Sequence, residues 1–148
     1  MKIYLGADHA GYELKNIIAE HLVHQGIEVE DEGAKTFEEG DDYAQYAYAV
    51  TTKILGDEGD SRGILICGSG QGMAMAANRI GGIRASVIWS VEGATETRED
   101  NDSNVLTLPS RFIDTDTALA IVDEWIKAPF SGDERQLRRR DQLDEIVG

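Results

Sequence analysis

Ile64-Leu65-Ile66-Cys67-Gly68-Ser69-Gly70-Gln71-Gly72 is the stretch whose reading decides the fold. A short apolar run breaks directly into three glycines in five residues, and Gly72 to Ile80 then carries apolar positions at helical spacing. A strand passing through a glycine turn into a helix is the opening half of a βαβ unit. The same alternation extends in both directions. Strand-length runs rich in Ile, Val or Leu occur at Lys2 to Ala7, Ile27 to Glu30, Ala85 to Trp89 and Val105 to Leu108. Helical patterns occupy Tyr12 to Gln25, Tyr43 to Leu55, Glu92 to Asp100 and Thr115 to Lys127. A last helix, Asp133 to Ile146, follows the Pro129-Phe130-Ser131-Gly132 break.

Such alternation through short connections predicts a parallel sheet buried on both faces, with right-handed crossovers. The expected fold is α/β: a Rossmann-like three-layer sandwich of five parallel strands with helices on both faces, plus a C-terminal helix. With 148 residues and no internal linker or repeat, residues 1–148 read as one domain. Hydrophobic residues at 41%, with only 2 Pro, exclude a disordered or low-complexity chain. Lys and Arg number 14 against 28 Asp and Glu, so the net charge of −14 disfavours nucleic acid and anionic membrane as partners. No run approaches the roughly 20 apolar residues of a membrane span, and the N-terminus turns polar too early for a signal peptide. One cysteine cannot form an internal disulfide, which points to a reducing cytoplasm.

Ligands of such sheets bind beyond the carboxyl ends of the strands, so the residues following each strand are the candidates for chemistry. Cys67 to Gly72 can present backbone N–H groups to an anion or oxyanion, or can simply be a tight turn. A dinucleotide site is disfavoured by the G-x-G-x-G spacing and by its place after the third strand, and a P-loop by the lack of a following Lys-Ser/Thr. Cys67 is either a small buried hydrophobe or a thiolate base favoured by the helix N-terminus behind it. Asp8-His9 could bind hydroxyls or move protons. A metal is not expected, because His-x-His, His-Glu-x-x-His and a second cysteine are all missing. Arg135 and Arg139 are i, i+4 and could clamp a phosphate, or could belong to a solvated helix face. The acidic segment Asp31 to Asp42 reads as a solvated loop, and Met73 and Met75 as helix packing. Tyr43 is placed to reach the site.

Taken in order, Gly6-Ala7-Asp8-His9-Ala10-Gly11, Asp42-Tyr43, Ile64 to Gly72, Asn101-Asp102-Ser103-Asn104-Val105-Leu106 and Ser110-Arg111 resemble the ribose-5-phosphate isomerase B family, whose pattern the galactose-6-phosphate isomerase subunits share. The resemblance implies interconversion of D-ribose 5-phosphate and D-ribulose 5-phosphate without metal or cofactor. It also implies a homodimer with active sites at the interface, and leaves a tetramer open. It assigns Cys67 as the base between C2 and C1, and Ser69 as the hydroxyl assisting proton exchange between O1 and O2. The turn Gly68, Gly70, Gln71 and Gly72 becomes the cradle of the enediolate. Asp8, Tyr43 and Asn101 become sugar ligands, and His9, Arg111, Arg135 and Arg139 phosphate ligands. Some relatives place a glutamate base where this chain has Met73. Most have His-Asn where this chain has Asp100-Asn101, so Asp100 stands in the position of the ring-opening group. Two alternatives stay open: an isomerase of a six-carbon aldose 6-phosphate such as allose or galactose 6-phosphate, and a non-catalytic sugar-phosphate-binding protein.

Overall fold

The computed structural model describes residues 1–146; Val147 and Gly148, the end of the expected 1–148 unit, lie outside the described residues. Five strands form one sheet: β1 (Lys2–Ala7), β2 (Glu28–Asp31), β3 (Ser61–Cys67), β4 (Ala85–Val87) and β5 (Val105–Pro109). Their order is β2-β1-β3-β5-β4, and every pairing is parallel. Helices α1 (Tyr12–His24), α2 (Tyr43–Gly56), α3 (Gln71–Ala77), α4 (Val91–Asn101), α5 (Thr115–Lys127) and α6 (Glu134–Glu145) complete it. Among the described residues, no helix is long and apolar enough to cross a membrane.

The central strands are buried on both sides, so successive residues feed two different cores. Ile64 and Ile66 join Ile3, Leu5, Ile18, Leu106, Val122 and Trp125 on the face covered by α1, α4 and α5. Leu65 and Cys67 join Tyr4, Val50, Met73 and Ala77 on the face covered by α2 and α3. Trp125, wholly buried, satisfies its indole by donating to Ser103 Oγ at 2.9 Å.

Several boundaries differ from the periodicity. β3 begins at Ser61, three residues early, because Ser61, Arg62 and Gly63 pair in register with Lys2, Ile3 and Tyr4. α3 stops at Ala77 instead of Ile80. Asn78 there turns its amide onto the edge strand, donating to Ala85 O at 2.9 Å and accepting from Ala85 N at 2.7 Å. A short 3-10 turn, His9–Gly11, precedes α1 and was not foreseen. Asp8 caps it, Oδ1 accepting from the N–H groups of Ala10 and Gly11 at 3.0 and 3.2 Å.

Candidate active site

The parallel sheet brings the ends of β1, β3 and β5 to one edge, where a pocket of about 400 Å³ opens. Asp8, Ala10, Tyr43, Cys67, Gly68, Ser69, Gln71, Gly72, Met75 and Arg111 line it. Three glycines make this crowding feasible. Gly70, with φ of 72°, turns the chain from strand to helix in a conformation few other residues adopt. Arg111 and Tyr43 pack flat on the turn: a Cβ at Gly68 would lie 2.8 Å from the Arg111 guanidinium carbon, and one at Gly72 2.6 Å from the Tyr43 ring.

Cys67 ends β3 nearly buried, and its Sγ accepts from the Gly70 N–H at 3.2 Å. Ser69 Oγ accepts from Gln71 N at 3.3 Å, so the turn directs two of its own N–H groups onto the two candidate chemical side chains. The first turn of α3 supplies further N–H groups that have no intrahelical acceptor. Asp8 is buried, and that burial pushes its carboxyl above the usual range despite the N–H groups of Gly11 and Ala10 and the neighbouring His9. Both cap bonds fall on Oδ1, which leaves Oδ2 for a ligand. A carboxylate kept in a pocket against its solvation preference is a binding-site signature.

His9 lies beside Asp8. Its Nδ1 is 2.9 Å and its main-chain N 2.8 Å from Asp41 Oδ1, while Asp41 Oδ2 accepts from Tyr46 Oη at 2.9 Å. One ligating atom each from Asp8, His9 and Asp41 lies within 4.8 Å of the others, a closeness to which the His9–Asp41 bond contributes directly.

The segment Asp31 to Asp42 is therefore not merely a solvated loop. Lys15, wholly buried on α1, reaches out to Asp31 Oδ2 at 2.5 Å and Ala34 O at 2.7 Å. Ala34 N in turn bonds to Ala7 O at 2.8 Å, extending the pairing with β1 past the end of β2. A buried ammonium needs such partners, and meeting that need draws the loop in towards the site. Met73 packs as expected, fully buried, but Met75 does not: it is 69% exposed and lines the pocket mouth.

Six expected site residues do not line this pocket: Gly70 is buried within the turn, His9 stands beside Asp8, and the other four belong to α4 and α6. Asp100 and Asn101 close α4, and Asn101 lines a second cleft, of about 310 Å³, with Arg84, Leu143 and Ile146. Arg135 and Arg139 stand exposed on α6. Sequence reasoning missed Asp41, Tyr46, Lys15 and Asp31 as contributors. The one available signal was Tyr46 following Tyr43 at i+3 behind two aspartates.

Fold and pocket together define an α/β protein with a small-ligand site at the carboxyl edge of a parallel sheet, built around one cysteine and a glycine turn. The model of the Ribose/Galactose Isomerase family matches residues 3–143, and the chain belongs to that family. It is 43% identical over 145 residues to ribose-5-phosphate isomerase B of Mycobacterium tuberculosis, covering 98% of this chain and 89% of that protein. Among solved structures, the ribose 5-phosphate isomerase of Thermotoga maritima superposes with a TM-score of 0.93 at 43% identity, over 98% of each chain. The Mycoplasma genitalium ribose-5-phosphate isomerase B with bound ribulose-5-phosphate gives 0.93 at 39%, over 97% of this chain and 93% of that one.

Proposed function

We propose that this chain is an aldose–ketose isomerase that interconverts D-ribose 5-phosphate and D-ribulose 5-phosphate, with Cys67 as its base. The observation that carries the reading is the placement of Cys67 Sγ beside the glycine turn in a pocket lined by Asp8, Tyr43, Ser69 and Arg111. Proton abstraction beside a carbonyl requires a base held at the C–H bond and donors where the oxyanion forms. In the open-chain aldose, the Cys67 thiolate takes the proton from C2. The C–H electrons form the C1–C2 double bond, and the carbonyl electrons move onto O1. N–H groups of the turn hold the resulting enediolate. Ser69 Oγ relays the O2 proton to O1, C2 becomes the ketone, and the thiol returns its proton to C1. Asp8 and Tyr43 hold sugar hydroxyls, and His9 and Arg111 the phosphate.

Asp100, Asn101, Arg135 and Arg139 belong to the same reading if a second copy of the chain delivers them. A homodimer whose two sites each combine one chain's glycine turn with the other's α4 and α6 meets that requirement. A catalytic thiol also suits a reducing cytoplasm, and the reaction suits the non-oxidative branch of pentose phosphate metabolism.

The test is ketose formation from ribose 5-phosphate by the purified chain in excess chelator, with allose and galactose 6-phosphates as comparison substrates. Cys67→Ala should lose about 10²–10⁴-fold in kcat and still bind inorganic phosphate. Near-normal turnover by that variant overturns the role of Cys67.

A further inference from the structure

Two donors of a single residue, the main-chain N and ring Nδ1 of His9, converge on one oxygen, Asp41 Oδ1. The other oxygen is held by the Tyr46 hydroxyl from α2, so the carboxylate cannot rotate without losing a partner. The Asp41 side chain is only 3% exposed. Phe37, from the same loop, sets its ring edge-on to His9, with centroids 6.4 Å apart at 82°. The imidazole is thus fixed in position and tilt by three residues that the catalytic scheme does not otherwise use.

We propose that Asp41 is the positioning residue for His9: it holds Nδ1–H and leaves Nε2 as the nitrogen presented to the phosphate group of the substrate. The inference rests on the sugar-phosphate reading of the pocket. A carboxylate accepts but cannot donate when ionised, so the nitrogen facing it must carry a proton, and the tautomer follows. Burial alone would raise the Asp41 carboxyl, but hydrogen bonds from the His9 main chain, the His9 ring and Tyr46 hold it below the usual range, so the acceptor is charged. Tyr46, pushed up to about 12 by burial and by Asp41, stays a neutral donor. Asp41 would repel a phosphate if it stood alone. With Nε2 protonated as the phosphate binds, the Asp41–His9 pair becomes a neutral unit whose outer face is an N–H donor.

A purely structural Asp41 would pin the loop and leave phosphate recognition unaltered, and the two roles separate experimentally. With the full chain, inorganic phosphate serves as a competitive probe beside ribose 5-phosphate turnover. Asp41→Asn should raise both the phosphate inhibition constant and KM about tenfold, with the loss falling on KM more than on kcat. In a His9→Ala background the same substitution should add nothing, because Asp41 acts through the ring. Multiplicative losses, or an Asp41→Asn variant that binds phosphate normally while His9→Ala does not, overturn the positioning role and leave the sugar-phosphate reading standing. Unchanged phosphate binding in His9→Ala overturns that reading's use of His9 and the inference with it. Ring nitrogen-15 shifts of wild-type His9 need no variant to fold: Nδ1 should stay protonated while Nε2 responds to phosphate, and a response at Nδ1 instead refutes the proposal.

Discussion

Alanine at Gly11 and alanine at Gly68 each add one methyl group beside the site, and the structure gives them opposite consequences. At Gly11 the new Cβ would lie 2.5 Å from Ile66 O, 2.7 Å from Ile66 C and 2.7 Å from Ile66 Cγ2. Ile66 belongs to β3, the middle strand of the sheet, and is paired on both sides with β1 and β5, so its backbone cannot retreat. The capped turn and the start of α1 must move off the sheet, an overpacking cost of about 3 kcal/mol. For a domain of this size that lowers the unfolding midpoint by about 6–12 °C. At Gly68 the clash is 2.8 Å with the guanidinium of Arg111, the far end of an exposed and flexible side chain. It can swing away by roughly 1 Å, so stability should change by under about 1 kcal/mol, whereas a phosphate contact displaced that far should raise KM about tenfold. Thermal unfolding followed by circular dichroism, beside steady-state kinetics, reads both. A Gly11→Ala midpoint within about 2 °C of wild type refutes the reasoning, as does a Gly68→Ala variant that loses more stability than Gly11→Ala.

If the site is shared between two copies, mixing the inactive Cys67→Ala and Arg135→Ala/Arg139→Ala proteins and letting subunits exchange should restore up to about a quarter of wild-type activity, since each mixed dimer holds one intact site; no recovery in mixed dimers would assign Cys67, Arg135 and Arg139 to a site within one chain. Because the Asp41 carboxyl is held low in the fold, its ionisation stabilises the protein above the ordinary aspartate range and that stability is lost in acid. Urea unfolding should therefore show the gap between wild type and Asp41→Asn to be full above about pH 5 and closing below about pH 4. Asp8, pushed up by burial, works in the reverse sense, with its ionisation costing stability as pH rises. Asp100→Asn should slow turnover of cyclic ribose 5-phosphate more than that of acyclic ribulose 5-phosphate, and an unchanged kcat/KM for ribose 5-phosphate removes Asp100 from ring opening.

The architecture was legible because its signals are local. β1 matches its expected bounds, and so does α5, which buries Ala118, Ile121, Val122 and Trp125 on one face. What periodicity could not supply was the division of each strand between two cores. In Ile64 to Cys67 every residue is apolar, and only the helices packed above and below assign Ile64 and Ile66 to one layer and Leu65 and Cys67 to the other. The short α3 escaped for a related reason: its end is set by Asn78 bonding Ala85 in a different element.

The pocket was legible to the extent that parallel topology places strand ends together. Asp8, Cys67 to Gly72 and Arg111 follow three neighbouring strands, and Tyr43 opens the helix beside them. Asp41 was not legible, because its role depends on Lys15, Asp31 and Ala34 drawing a loop against β1, and no spacing in an acidic run records that approach. Asp100, Asn101, Arg135 and Arg139 pose the opposite case: the sequence pattern names them, and one chain does not gather them into the pocket. They are nonetheless organised. Asp102, held just past α4 with φ of 50°, takes Arg98 at 2.9 Å and Arg140 of α6 at 3.0 Å, and Arg84 ties it to Asp144 of α6. These ion pairs join the end of α4 to the arginine-bearing helix as one unit, with Arg98 buried at its root. Partly buried pairs in a network hold geometry better than isolated surface pairs do. In the proposed homodimer, one half of each site would be built on a glycine turn and the other locked around the partner copy's Asp102 cluster, so docking would unite preformed halves without refolding either.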